Sequence, residues 1–183
     1  ILKAGGGILS TVNATKSSSF DILYDKANKS LDTMLIHGTT TVEAKSGYGL
    51  EWETEKKQLE VAKKLNENHP IDIISTFMGA HAIPMDLKDS PEDFIKELTE
   101  FMIPEVSKQN LAEFCDIFCE HGVFSVEQTR RILQSAKDND LKIKIHADEI
   151  VSLGGAELAA EMGAHSAEHL MAASDKGISL MAK

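Results

Sequence analysis

The residues able to do chemistry in this sequence fall in groups: Glu43 and Lys45 with Tyr48, then His81, Glu120 with His121, His146 with Asp148 and Glu149, and His169. Each group lies at or just past the end of a short apolar or β-branched run. His146 closes the run Leu141-Lys142-Ile143-Lys144-Ile145 within the motif His146-Ala147-Asp148-Glu149. A neutral imidazole there suits a metal ion. Glu149, three residues on, suits proton uptake from an activated water or a hydrogen bond to a ring N–H. His169, in Ser166-Ala167-Glu168-His169-Leu170, suits polarising a carbonyl or stabilising an oxyanion beside that metal. His81 is flanked by the small residues Ala80 and Ala82, so a ligand can approach it closely.

Taken singly, each histidine also fits a hydrogen-bonded structural role, and it is their recurrence on successive units that favours a site. Lys45 could form a Schiff base, as lysines at strand ends of barrel aldolases do, although no neighbour in sequence supports it. His37 and His69 lie at predicted helix ends and read as surface residues, as does His165. His121 has no assignment. Gly5-Gly6-Gly7, with Lys16 downstream, could cradle an anion, and a flexible loop ahead of the next helix explains them equally well.

The elements that must position these residues alternate. Apolar spacing predicts a helix over 17–35, followed by a β-branched strand over 39–44. A surface helix over 51–66 with i,i+4 pairs Glu53/Lys57 and Glu60/Lys64 comes next, then a strand over 71–77 with an exit loop over 79–84. Ser90-Pro91 opens a helix. A strand over 114–119, a helix over 125–139 with a Ser125/Gln128 capping box, and a strand over 141–145 follow. The pattern closes with a helix ending at Gly163, a strand over 164–167 and a helix from Ala173. Five strands separated by helices are βα units of a parallel sheet. A doubly wound sheet fits the count, but no G-x-G-x-x-G follows a strand, which favours part of a (β/α)8 barrel of the TIM type. In either fold, strand C-terminal ends converge on one ligand-binding mouth.

A chain of 183 residues with 42% hydrophobic content suffices for one core. The net charge of -10 argues against nucleic acid and anionic lipid, and for a small-molecule partner. Homo-oligomerisation stays open. Cys115 and Cys119, four residues apart on a predicted strand at about 3.3 Å per residue, are too distant to bridge. They read as free buried thiols of a reducing compartment, and with no leader-like segment or long apolar run the cytoplasm is the expected location. The first residue is Ile1, which reads as a chain cut from something longer.

Gly-Gly-Gly-Ile-Leu-Ser-Thr-Val at 5–12, Lys45-Ser46-Gly47-Tyr48-Gly49-Leu50, Gly79-Ala80-His81-Ala82-Ile83-Pro84, Phe118-Cys119-Glu120, His146-Ala147-Asp148-Glu149 and Ser166-Ala167-Glu168-His169-Leu170 appear in an order that resembles the imidazolonepropionase family. These are metal-dependent amidohydrolases of histidine breakdown. The resemblance covers nearly the whole chain and implies one partial barrel domain over 1–183, holding the family's second to sixth strands. It implies that His146 ligates one zinc or iron ion, with the other ligands outside this chain. Glu149 and His169 would be catalytic, and Tyr48, His81 and Glu149 would contact the imidazolonepropionate substrate. The departures are a missing His-x-His pair and arginine of the first-strand region, the eighth strand's aspartate, and a flanking β-sandwich. Hydrolysis of another cyclic amide, deamination of an aminated ring, and a non-catalytic barrel fragment are the competing readings.

Overall fold

The computed structural model of the chain describes residues 8–183. The Gly5-Gly6-Gly7 cradle therefore lies outside the described residues. Helix α1 spans Ile8–Ser17, where the sequence reading allowed a flexible loop around Lys16. Its last carbonyls have a cationic partner: Lys57 Nζ donates to the carbonyls of Thr15, Lys16 and Ser18 at 3.3, 3.3 and 2.7 Å. Lys57 thus closes a helix end rather than serving the pair expected with Glu53. Ser19 starts a new helix, α2 (Phe20–Ile36), by accepting from the N–H of Ile22.

Five βα units then follow. They comprise β1 (Thr41–Lys45), α3 (Trp52–Asn68), β2 (Asp72–Ala80), α4 (Pro91–Glu97), α5 (Ile103–Lys108), β3 (Phe114–Cys119), α6 (Val126–Asp138), β4 (Lys142–Ala147), α7 (Gly155–Met162), β5 (Ser166–His169) and α8 (Asp175–Met181). The Ser125/Gln128 capping box on α6 forms in full. Strand β2 takes in Gly79 and Ala80, which the sequence placed in the exit loop. A π-helical turn, Leu98–Met102, joins α4 to α5, with the N–H of Ile103 reaching back five residues to Leu98. Pro104 explains it: its ring crowds the carbonyl four residues back and it has no N–H to give, so the helix widens there.

All four strand pairings are parallel and the order is β1-β2-β3-β4-β5. Sequential order without a reversal is that of a barrel; a doubly wound sheet switches direction partway. Alternate residues of each strand divide the two faces. Ile73, Phe77, Cys115, Ile117, Ile143, Ile145 and Ala147 are buried beneath the helices. Glu43, Lys45, Thr76, Asp116, Lys144, His146 and Glu168 point to the other face and bond to one another there.

One distance demonstrates the curvature. A flat sheet would hold β1 and β5 four strand spacings apart, about 19 Å. Lys45 Nζ of β1 nevertheless sits 2.6 Å from both carboxylate oxygens of Glu168 on β5. The five strands form a curled half-barrel with a charged concave face, which bears out the expected partial (β/α) barrel. Cys115 and Cys119 are free and buried, as anticipated. No helix among the described residues is long and apolar enough to cross a membrane.

Candidate active site

The loop leaving β1 is built around a carboxylate that the sequence did not single out. Glu55, in the first turn of α3, is fully buried. It accepts from the N–H groups of Gly47 (2.8 Å), Gly49 (2.7 Å) and Leu50 (3.0 Å). This holds Gly47 at φ 101°, where a Cβ would lie 2.9 Å from the Met78 carbonyl oxygen and 3.0 Å from His81 Nδ1, so only glycine fits. The carbonyl of Gly47 then accepts from His81 Nδ1 at 2.9 Å. The proton must sit on Nδ1, leaving Nε2 with a lone pair. Burial lowers the His81 pKa from its usual value, with the neighbouring His146 adding to the effect, and the Gly47 bond only partly opposes this. The Tyr48 ring meets that of His81 edge-on at 5.3 Å.

From His81 the rings continue across the concave face. Phe118 lies 6.3 Å from His81 and 6.1 Å from His146, and His146 lies 5.2 Å from His169. His169 Nε2 is 3.7 Å from Glu149 Oε2. The five residues picked out from sequence, Tyr48, His81, His146, Glu149 and His169, are therefore brought together along one rim. Asp148 shapes that rim by placing its buried carboxylate over the start of α7. Its Oδ1 accepts from Leu153, Gly154 and Gly155, and its Oδ2 from Ala156. Glu120, also buried, accepts from the N–H of Ile150 at 2.8 Å and so clamps the loop carrying Glu149. Asp148, His169 and Leu170 take left-handed backbone conformations at φ 48°, 69° and 55°. Strain of this kind persists only where surrounding bonds impose it, and it concentrates at functional sites.

Behind the rim lies a charged group of which sequence reasoning saw only part. Asp116, fully buried on β3, accepts from His146 Nδ1 at 3.0 Å, from Lys45 Nζ at 2.7 Å and from the N–H of Ile117 at 2.8 Å. Burial alone would raise its pKa. The hydrogen bond from His146, with the Lys45 ammonium beside it, outweighs that and holds the carboxyl below its usual range. Lys45 is the converse: burial pulls it down, and Asp116, Glu168 and Glu43 more than restore it, so its pKa is raised. A Schiff-base lysine needs a lowered pKa, and the role considered for Lys45 on position alone does not match its surroundings. The signal available in sequence was the acidic residue within the apolar run Phe114-Cys115-Asp116-Ile117-Phe118, since a buried charge must have partners.

The remaining histidines make none of the ring contacts of this rim. His37 is exposed at the end of α2, and His165 packs on Phe114 at 5.0 Å, beside the N-terminal end of β5. His121 is exposed. His69 departs from its surface reading: its side chain is 4% exposed, accepts from the N–H of Ile71 and contacts Asp32 at 3.3 Å.

Among the described residues, Asp116, His146 and Glu168 form a group whose ligand atoms lie within 4.8 Å of one another. Of the three, His146 fits a metal best. Its Nδ1 is taken by Asp116, while Nε2 faces the concave side 3.4 Å from Glu168 Oε2, too long for a good hydrogen bond. Asp116 Oδ2 and both oxygens of Glu168 already face the Lys45 ammonium.

No protein-family model matches the chain. Curated relatives do. It is 58% identical over all its residues to imidazolonepropionase of Streptococcus sanguinis strain SK36 and 62% identical to that of Alkaliphilus oremlandii strain OhILAs. Over 180 residues it is 61% identical to that of Treponema denticola. The chain spans 44%, 43% and 44% of the length of these three proteins. The likeness seen in its motifs is thereby borne out, and along its entire length this chain is similar to imidazolonepropionases.

Proposed function

We propose that this chain supplies one wall of an active site that hydrolyses the cyclic amide of imidazolonepropionate to N-formimidoyl-L-glutamate. The observation that carries this reading is the continuous rim of Tyr48, His81, His146, His169 and Glu149, joined by ring contacts of 5.2 to 6.3 Å and a 3.7 Å approach of Glu149 to His169. The name carried by relatives of 58–62% identity supports the substrate.

His146 would hold the metal through Nε2, with further ligands from outside this chain. Zinc or iron there would supply a Lewis acid that polarises the ring carbonyl and acidifies water. Glu149 takes a proton from the attacking water and delivers it to the ring nitrogen as the carbon–nitrogen bond breaks. Its 35% exposure leaves its carboxylate able to reach a bound molecule. His169, beside both Glu149 and His146, donates to the oxygen on which negative charge develops. Nε2 of His81 accepts from a ring N–H, since its own proton is committed to Gly47, and Tyr48 packs against the substrate ring. The small polar substrate accords with an acidic chain of net charge -10.

Grafting residues 1–183 into the Streptococcus sanguinis imidazolonepropionase in place of the matching segment tests the assignment. The graft should consume imidazolonepropionate, followed by loss of its ultraviolet absorbance. The His146→Ala graft should lose both bound metal and turnover. Full metal content and full turnover in that variant would contradict the role given to His146.

A further inference from the structure

We propose that Asp116 is a positioning residue for His146, fixing its tautomer and ring plane, and that Lys45 holds Asp116 in that role by tying it to Glu168 across the concave face. The positioning stands on geometry alone; its consequence for metal binding rests on reading His146 as a ligand.

The Asp116 charge cannot be idle. Asp116 is 0% exposed, and a carboxylate out of water persists only with its oxygens satisfied. Its three donors come from three sources: its own strand through the N–H of Ile117, β1 through Lys45, and β4 through His146. Asp116 is the group that bonds His146 Nδ1, at 3.0 Å. A carboxylate only accepts, so Nδ1 carries a proton and Nε2 is the ring nitrogen left to meet a ligand. An unrestrained imidazole in water favours the opposite tautomer, which would turn a proton toward Glu168 and block ligation. A carboxylate behind a ligating histidine raises its basicity and orients its ring.

Lys45 completes the device. Its Nζ lies 2.7 Å from Asp116 Oδ2 and 2.6 Å from both oxygens of Glu168, with Glu43 at 3.7 Å. Without that ammonium, two carboxylates from β3 and β5 would face each other beside His146. Asp116 would then be free to draw back from Nδ1.

The test is long-range proton–nitrogen correlation NMR on the 183-residue chain labelled with 15N-histidine, at a pH of about 8 where imidazole is neutral. His146 is assigned by loss of its signals in His146→Gln. In the wild type its proton is expected on Nδ1; a proton on Nε2 overturns the proposal, with no variant needed. Asp116→Asn keeps an acceptor and should keep the Nδ1 proton, whereas Asp116→Leu should move it to Nε2 and, in the graft into the Streptococcus sanguinis enzyme, weaken cobalt(II) binding about 10- to 100-fold. Lys45→Met should broaden the Nδ1–H signal by exchange, and an unchanged signal refutes its share. If Asp116→Leu does not fold, Asp116→Asn and Lys45→Met retain the decision. The expected tautomer in the chain, with no cobalt bound by the graft into the Streptococcus sanguinis enzyme, would overturn the metal reading of His146 and leave the positioning intact. Cobalt affinity unchanged in a folded Asp116→Leu graft overturns the coupling of the two.

Discussion

His81 shows how far a single residue can be read. Its flanking alanines marked it as approachable, but its protonation is set by Gly47, thirty-four positions away, and by burial. Because its folded pKa is lowered, the unfolded chain takes up a proton that the folded chain refuses. The contribution is fully present above the unfolded pKa, about 6.5, and is lost as pH falls below it. Urea denaturation between pH 7.5 and 5 should therefore show stability declining toward acid, with a shallower decline in His81→Gln; identical slopes would contradict a neutral buried His81. Asp116 and Glu168 were passed over for a related reason. Sequence displays an acidic residue in a strand but not the lysine and histidine, 71 and 30 positions distant, that donate to it.

At the scale of elements, the alternation of strands and helices was readable because each has a distinct apolar period and its own caps. The boundaries that moved have local causes. Helix α1 forms where a loop was equally plausible because Lys57 of α3 closes its end, and the helical stretch over 91–108 contains a π turn at Pro104. The loops that carry the site are held by carboxylates on the following helix or at the helix start, Glu55 for Tyr48 and Asp148 for Glu149. Glu55→Ala should leave three buried N–H groups without a partner and cost about 3 kcal/mol or more, measured by urea denaturation. Amide exchange at Gly47 and Gly49 should accelerate beyond that of the β3 core. Exchange that speeds up uniformly along the chain would argue that Glu55 supports the whole fold rather than this loop.

For the whole molecule, the choice between an open sheet and a barrel could not be made from strand count, and the missing information was the strand order and the curl. Both follow from which face each strand residue takes. The convex face is packed by helices, whereas the concave face is a mesh of ion pairs: Lys144 with Glu43 at 2.9 Å, and Lys45 with Asp116 and Glu168. Among the described residues β1 pairs only with β2 and β5 only with β4, leaving two outer edges. Lys45 is the contact that draws those edges toward each other. Lys45→Met should destabilise the chain by about 2 kcal/mol, below the figure for a fully buried pair because Lys45 and Glu168 stay partly solvated. Unchanged stability in thermal denaturation would mean that the curl is imposed by helix packing alone.

Hydrolysis at this rim would depend on Glu149 as its proton carrier. In the grafted enzyme, Glu149→Gln preserves side-chain size and leaves His146 untouched, so metal content should equal that of the parent while kcat for imidazolonepropionate falls at least about 100-fold. A kcat within a few-fold of the parent, at equal metal content, would contradict the account.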